Sequence, residues 1–320
     1  METVLEVDDL RMHYHTSKGP VRAIDGVSFR LGAGETIGLV GESGCGKTSM
    51  GTSIMRMPAP PGRYEGGRVL VGGTDILPLP EREVRRDYRW EKVSMVFQGA
   101  MNCLTPVYTI GRQMAETIRH HREIGKAESD ALIRESLGHV GLPPEVAGRY
   151  PHELSGGMKQ RVVIAMALFL KPRAVILDEP TTALDVIVQA QIVNLLKELR
   201  EAFGLSYVFI THDLALEAEI ADRIVVMYAG KIAESGPIAK VFGESAHPYT
   251  EKLLASTPRL RRKVEKLSFI PGTPPDLVSP PRGCRFEPRC PAAMERCREE
   301  EPPLLDLGDG RSAACWRCAR

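Results

Sequence analysis

The stretch TIGLVGESGCGKTSM, residues 36–50, decides the fold. Its first five residues have the apolar character of a strand buried on both faces, and a helix-compatible segment follows the glycines. Residues 41–48, here named the phosphate loop, match the pattern G-x-x-x-x-G-K-[ST]. The glycines let backbone N–H groups wrap a polyphosphate, and the following helix N-terminus favours negative charge. A strand, this loop and a helix in this order predict a P-loop NTPase core.

Residues of the phosphate loop are expected to contact a nucleoside triphosphate and Mg²⁺. Lys47 is expected to reach the β- and γ-phosphates, and the hydroxyl of Thr48 is expected to ligate Mg²⁺. The residues that we assign to this part of the site are Gly41, Ser43, Gly44, Gly46, Lys47, Thr48 and Ser49.

Two adjacent acids follow a second buried strand, residues 174–177. Asp178 and Glu179 stand at the carboxyl edge of that strand, where open α/β sheets bind ligands. Asp178 is expected to hold the water shell of Mg²⁺, and Glu179 is expected to polarise the attacking water as a general base. The alternative is two acids at a solvated strand end, and the phosphate loop favours the catalytic interpretation.

The rest of the chain predicts an α/β fold with a parallel sheet covered by helices. Short apolar runs up to about residue 40 indicate an N-terminal antiparallel β subdomain, and residues 99–160 predict an inserted helical subdomain. Residues 1–235 then form a nucleotide-binding domain, and residues 236–320 form a Pro- and Cys-rich C-terminal extension. The predicted elements are helices 112–123, 126–140, 157–170 and 188–202, and strands 174–177 and 207–210.

Composition and charge are those of an ordinary globular protein. The chain has 42 Lys and Arg against 41 Asp and Glu, so it has no global field that would attract nucleic acid, and no nucleic-acid partner is predicted. The longest unbroken apolar run, residues 162–170, is far shorter than the ~20 residues of a membrane-spanning helix. The acidic N-terminus lacks the pattern of a secretory signal, which favours the cytosol.

Four further motifs carry a resemblance to the ATP-binding cassette (ABC) family. Residues 154–161, LSGGMKQR, resemble its signature motif, and residues 183–185, ALD, resemble its D-loop. Gln98 resembles the Q-loop glutamine and His212 the switch histidine, all in family order. The resemblance implies an ATPase in which the phosphate loop of one subunit and the signature motif of another enclose the same ATP.

The resemblance also implies roles for individual residues. His212 is expected to contact the γ-phosphate beside the catalytic Glu179, and Tyr14 is expected to stack on adenine, with a packed strand tyrosine as the alternative. Met158 departs from the commoner glutamine of the signature motif. The implied nucleotide contacts are Tyr14, Gln98, Ser155, Gly156, Gly157, Asp178 and Asp185, and the implied Mg²⁺ ligands are Thr48, Gln98 and Asp178.

The C-terminal extension resembles that of the oligopeptide/dipeptide importer ATPases. The similar stretches are HPYTEKLL at 247–254, PGTPP at 271–275 and GCRFEPRCP at 283–291. This group implies a peripheral subunit at the cytoplasmic face of the cell membrane. Its implied partners are two integral-membrane permeases, a second cassette subunit and an external solute-binding protein.

Five cysteines crowd the end of the chain, which in a reducing compartment favours metal binding over disulfides. Cys284, Cys290, Cys297 and Cys315 are spaced too widely for the close C-x₂₋₄-C pairs of zinc sites, although Cys318 forms a C-x-x-C with Cys315. The resemblance implies that the first four hold a [4Fe–4S] cluster. Zinc and free thiols are the alternatives. Such a cluster would stabilise the fold of an extension that is expected to have little apolar core.

Two rival functions differ in sequence features that can be checked. A soluble cassette ATPase that acts on ribosomes or DNA usually carries two cassettes or a long coiled-coil insertion, and this sequence has neither. A non-catalytic cassette would bind ATP only as a dimer clamp, and Glu179 and His212 argue against that alternative. The favoured interpretation is an ATP-hydrolysing subunit of an importer for peptides or similar small solutes.

Overall fold

The structure is a computed structural model that describes residues 2–256 and 270–319, which form two compact units. The first unit comprises residues 2–5, 31–35 and 70–208, and the described remainder forms the second unit. The strands are β1 (Thr3–Thr16), β2 (Gly19–Gly32), β3 (Thr36–Val40), β4 (Gly62–Val71), β5 (Thr74–Asp75), β6 (Val93–Val96), β7 (Ala174–Asp178), β8 (Ser206–Ile210), β9 (Arg223–Tyr228), β10 (Lys231–Pro237), β11 (Leu305–Gly308) and β12 (Arg311–Ala313). The helices are α1 (Lys47–Ile54), α2 (Glu81–Glu83), α3 (Ile110–His121), α4 (Lys126–His139), α5 (Gly156–Leu168), α6 (Val186–Phe203), α7 (Leu214–Ile220), α8 (Ile238–Gly243), α9 (Pro248–Ala255) and α10 (Glu295–Glu299).

The first unit contains a parallel strand pair. β6 and β7 run parallel, with Val93 opposite Ala174 and Val96 opposite Leu177, and β8 is hydrogen-bonded to β7. Every residue of β6 and β7 is buried, as expected for parallel strands that are covered on both faces.

The segment between β6 and α5 is mainly helical, and α3 packs against α4. Ile110, Met114 and Ile118 bury one face of α3 because residues four apart lie above one another on a helix. The helix begins earlier than the predicted residue 112, since the Thr109 side chain accepts the N–H of Arg112 and caps the helix upstream. It ends before the predicted residue 123, since Arg122 has an extended backbone conformation. The domain boundaries at residues 99, 160 and 235 stay predictions.

The second unit holds the strand that leads into the phosphate loop. β3 is fully buried and runs parallel to β9, with Val40 opposite Val226. β10 is antiparallel to β9, and β12 is antiparallel to β10. In a further sheet of order β2-β1-β4, Val27 and Phe29 of β2 are buried, and this alternation of buried and exposed residues is typical of a sheet with one solvated face.

The expectation that the C-terminal extension has little apolar core is wrong. Tyr249 and Phe286 are almost completely buried and pack with Tyr228 and Val226 of β9, and β12 pairs with β10. The aromatic and aliphatic side chains of this core come from separate short segments, so no single periodic apolar run marks it in the sequence. Within residues 2–256 and 270–319, no helix is long and apolar enough to cross a membrane.

Candidate functional site

The phosphate loop connects β3 to α1 in a conformation that requires glycine. Gly41 and Gly46 have φ angles of 152° and 108°, which side chains rarely adopt. A Cβ on Gly41 would lie 2.2 Å from the Met227 carbonyl oxygen, and one on Gly46 would lie 2.3 Å from the Ala23 carbonyl oxygen. Positions 41 and 46 therefore require glycine, both because of their backbone angles and because neighbouring backbone atoms lie too close for a side chain.

Lys47 lies across the inside of this loop and is almost completely buried. Its Nζ donates to the carbonyl oxygens of Gly41 at 2.7 Å and Glu42 at 3.1 Å. Charge-assisted hydrogen bonds hold the ammonium within the loop, which is where a bound phosphate would need a positive charge. Thr48 and Ser49 follow in the first turn of α1.

Tyr14 is brought next to Ser49 in the same unit. The hydroxyl oxygens of the two residues lie 3.1 Å apart, so Tyr14 at the end of β1 contacts the first turn of α1. Tyr14 is half-buried beside the phosphate loop, and its contact with Ser49 fits both a tyrosine that only packs in the strand and one that stacks on adenine. Adenine stacking by Tyr14 stays a prediction.

The first unit brings together two of the predicted site residues, Gln98 and Glu179. Gln98 Nε2 donates to Glu179 Oε2 at 3.0 Å, although the two residues lie far apart in sequence. Glu179 has a φ of 48°, and the Thr182 hydroxyl donates to the same oxygen at 2.8 Å. Asp178 is fully buried at the end of β7. The Glu179 carboxylate is therefore held by two donors at the carboxyl edge of a parallel strand.

Thr182 is a residue that the motif analysis missed. The signal available in the sequence was the hydroxyl of Thr182, three residues after Glu179. At this spacing in a turn, a Ser or Thr hydroxyl often forms a hydrogen bond to a nearby residue.

The predicted signature and D-loop residues lie at the starts of two helices. Ser155 caps α5, since its Oγ accepts the N–H of Met158 at 3.3 Å, and Asp185 caps α6 by accepting the N–H of Val188 at 3.0 Å. A Cβ on Gly157 would lie 2.8 Å from Val188 Cγ1, so this glycine also permits close packing of the two helix starts. Ser155 and Gly156 are exposed and Gly157 is half-buried, so the start of α5 is open to an anion.

These caps also explain the helix boundaries. α6 begins at Val186 rather than at the predicted residue 188 because Asp185 supplies the cap, and it ends where Gly204 takes a left-handed φ of 62°.

His212 lies exposed between β8 and α7 in the second unit, and the next residue, Asp213, caps α7. The predicted Mg²⁺ ligands, Thr48, Gln98 and Asp178, come from both units, and their joint role stays a prediction.

The cysteines of the C-terminal extension are free thiols that lie within electrostatic reach of one another. Burial raises the pKa of Cys284 to about 11, and repulsion from Cys297, Cys290 and Cys315 adds to the increase. The Cys284 N–H donates to the Cys297 carbonyl oxygen at 2.8 Å. Among the residues that the structure describes, no group of three or more His, Cys, Asp or Glu side chains is arranged to hold a metal ion. The predicted cluster is therefore not confirmed.

The strand, phosphate loop and capped signature helix define the class of ATP-binding cassette proteins, and comparisons with known proteins agree. The family model for ABC transporters matches residues 24–182. The model for the oligopeptide/dipeptide transporter C-terminal region matches residues 233–297. The chain belongs to the ABC transporter family.

Relatives match along almost the whole chain. The oligopeptide transport ATP-binding protein OppD of Bacillus subtilis is 46% identical over 98% of this chain and 88% of its own length. The dipeptide transport ATP-binding protein DppD of Escherichia coli is 44% identical over 98% of this chain and 96% of its own length.

Solved cassettes share the fold. The dimeric bacterial ABC transporter cassette MJ0796 is 27% identical with a TM-score of 0.64, covering 73% of this chain and 98% of its own. Its post-hydrolysis state bound to ADP and Pi matches equally well. The predicted family, cassette fold and ATPase activity are confirmed.

Proposed function

We propose that this chain is the ATP-hydrolysing subunit of an importer that moves di- or oligopeptides, or similar small solutes, across the cell membrane. The observation that carries the proposal is the combination, in one chain, of a cassette with an intact Gln98–Glu179 pair and a C-terminal region of the oligopeptide/dipeptide transporter type. Relatives along nearly the full length bear the names of oligopeptide and dipeptide transport proteins. As in the predicted assembly, the chain would lie peripherally at the cytoplasmic face.

Contacts within each unit support the proposed roles of Lys47 and Glu179. Lys47, already held inside the phosphate loop, would transfer its hydrogen bonds from loop carbonyls to the β- and γ-phosphates. Glu179 would accept the proton of the attacking water, with Gln98 and Thr182 fixing the orientation of its carboxylate. His212 would contact the γ-phosphate. Mg²⁺, held by Thr48, Gln98 and Asp178, would neutralise charge that develops on the phosphates.

A second cassette subunit is part of the proposal. The start of α5, where Ser155 and Gly156 are exposed and Gly157 is half-buried, would contact the γ-phosphate of ATP bound in the partner's phosphate loop. Asp185 would lie at the same interface. ATP would then stabilise the dimer, and its hydrolysis would release it. The remaining proposed partners are two integral-membrane permeases and an external solute-binding protein.

Copurification tests this proposal. The chain is expressed with candidate permeases in membranes, and an affinity tag on the chain is expected to retain two integral-membrane proteins together with an ATPase activity that peptide-loaded binding protein stimulates. Retention of ribosomal or DNA-bound material without any permease would contradict the proposal and would favour the soluble class of cassette ATPases.

We also propose that Cys284, Cys290, Cys297 and Cys315 ligate a [4Fe–4S] cluster, with zinc as the alternative metal. Support comes from their mutual electrostatic influence and from the free state of all four thiols. The raised pKa values of Cys284, Cys290 and Cys315 are a barrier to ligation, because a ligand must be the thiolate. Loading therefore requires release of protons and rearrangement of the thiols. No step of ATP hydrolysis depends on this cluster.

A further inference from the structure

The C-terminal extension contacts the phosphate loop through one buried arginine. Arg289 Nη1 donates to Glu42 Oε2 at 2.6 Å, and Arg289 Nη2 donates to Glu42 Oε1 at 2.9 Å. Glu42 is the second residue of the phosphate loop, and Arg289 lies 247 residues later in the chain. The Arg289 side chain is 4% exposed and that of Glu42 is 25% exposed, so the pair is largely shielded from water and salt. Two parallel bonds to one carboxylate fix the geometry of the pair.

Other contacts, from the C-terminal extension and from β9, hold Arg289 in place. Its Nε donates to the Pro271 carbonyl oxygen at 2.7 Å, and its Nη1 donates to the Tyr228 hydroxyl at 3.1 Å. The guanidinium carbon lies 6.0 Å from the ring centre of Phe286, within range of a cation–π contact. All three guanidinium nitrogens have acceptors, so the position of Arg289 is determined by the folded extension together with β9 and the phosphate loop.

A second residue of the C-terminal extension binds the backbone of the same glutamate. The N–H of Glu42 donates to the hydroxyl of the buried Tyr249 at 2.8 Å, and the carbonyl oxygen of Glu42 accepts from Lys47 Nζ at 3.1 Å. The amide, the carbonyl and the carboxylate of Glu42 are therefore each bound, to Tyr249, Lys47 and Arg289 respectively. Two of these three contacts come from the C-terminal extension, and the third comes from the lysine expected to reach the phosphates.

We propose that Arg289 and Tyr249 are positioning residues, which hold the phosphate loop in its nucleotide-binding shape through Glu42. The C-terminal extension thereby sets the affinity of the loop for ATP. The inference rests on the proposed ATPase function. A loop that is already ordered before ATP arrives loses less conformational entropy on binding, so the two contacts favour tight binding. Because coupling between two sites is reciprocal, bound ATP also stabilises the folded extension.

Nucleotide affinity of the full chain tests the inference. Arg289→Gln removes the positive charge and the two parallel hydrogen bonds to Glu42, and it is expected to weaken binding of ATP roughly tenfold. Arg289→Lys keeps the charge but loses the paired bonds, so a smaller loss is expected. Tyr249→Phe removes one hydroxyl and is expected to weaken ATP binding a few-fold. Steady-state assays are expected to show a raised KM with a nearly unchanged kcat, since the proposed role concerns binding.

Arg298→Gln is the matched control. Arg298 belongs to the same Cys-rich segment and donates to Glu287 at 2.9 Å, but its side chain is 74% exposed and the pair does not involve the phosphate loop. This variant is expected to bind ATP as the unaltered chain does. In a double-mutant cycle, Glu42→Gln with Arg289→Gln is expected to bind no more weakly than Glu42→Gln alone, because the first change has already broken the pair.

The measurements distinguish failure of this inference from failure of the proposed function. Equal ATP affinity of the unaltered chain and all three Arg289 and Tyr249 variants would overturn the inference. Additive losses in the double-mutant cycle would also overturn it, since a merely structural role of Arg289 predicts additivity. If Arg289→Gln fails to fold, the ATP affinities of Arg289→Lys and Tyr249→Phe, compared with that of the unaltered chain, are sufficient to test the inference. An unaltered chain that binds no ATP would instead overturn the proposed function.

Discussion

The chain is expected to lose stability as pH rises because of one buried carboxyl group, that of Glu217, and replacing Glu217 by glutamine is expected to remove this loss. Glu217 lies on α7, is completely buried, and neither of its carboxyl oxygens has a hydrogen-bond partner among the described residues. The carboxyl group packs against bare backbone of β3, where a Cβ on Gly38 would lie 2.0 Å from Glu217 Oε2. Burial, with a smaller contribution from the charge of Asp213, raises the pKa of Glu217 well above its ordinary value of 4.5.

The sign of the effect follows from proton linkage. Below pH 4.5 the carboxyl group is protonated in both the folded and the unfolded chain, so its contribution to stability is fully present. Between this value and the raised pKa, the folded state keeps a proton that the unfolded state has released. The free energy of unfolding therefore falls as pH rises, by up to about 1.4 kcal/mol per pH unit, until the folded-state pKa is reached. Glutamine cannot ionise, so Glu217→Gln lacks this slope.

Urea denaturation of the nucleotide-free chain between about pH 5 and 8 measures the difference. Glu217→Gln is expected to gain stability over the unaltered chain progressively with pH, while Glu219→Gln, an exposed glutamate on the same helix, is expected to show no such gain. Parallel pH profiles of the unaltered chain and Glu217→Gln would refute the reasoning, because they would mean that the carboxyl group has the same pKa in both states.

The remaining predictions concern the nucleotide and the thiols. Glu179→Gln keeps the shape and the hydrogen bonds of the carboxylate but removes the base, so hydrolysis by the assembled complex is expected to fall roughly 10²-fold or more with ATP binding intact; a near-normal rate would exclude Glu179 as the base. Lys47→Ala is expected to weaken ATP binding by the isolated chain, whereas Ser155→Ala is expected to leave it nearly unchanged and to weaken only ATP-dependent dimerisation; equal losses of affinity in the monomer would contradict a role of Ser155 at the partner's nucleotide. Anaerobically purified protein is expected to be brown with about four iron atoms per chain, and Ser substitution of Cys284, Cys290, Cys297 or Cys315, but not of Cys318, Cys45 or Cys103, is expected to abolish the iron; stoichiometric zinc without iron would exclude the cluster.

The sequence predicts the phosphate loop and the strand before it because both are local. Glycine spacing, a buried apolar run and the lysine all lie within residues 36–50, and the structure places them as β3, the loop and α1. The contact of Gln98 with Glu179 could be expected only from family resemblance, since no local pattern connects the two residues.

The features that could not be predicted depend on long-range packing. Arg289 lies in a Pro-rich segment without periodicity, and its partner Glu42 is 247 residues away, so only the folded topology brings them together. Glu217 resembles a solvated helix charge, although its spacing of three from both Leu214 and Ile220 places it on their buried face. In both cases tertiary structure decides which charges are buried.

Peptide uptake by reconstituted vesicles tests the central claim most directly. The chain is assembled with its permeases and solute-binding protein, and accumulation of labelled peptide is followed with Mg²⁺ and ATP on the side that carries this chain. Accumulation is expected to require ATP, and Glu179→Gln is expected to abolish it while ATP binding persists. Steady ATP hydrolysis without accumulation of any offered peptide, or uptake that Glu179→Gln leaves unchanged, would contradict it.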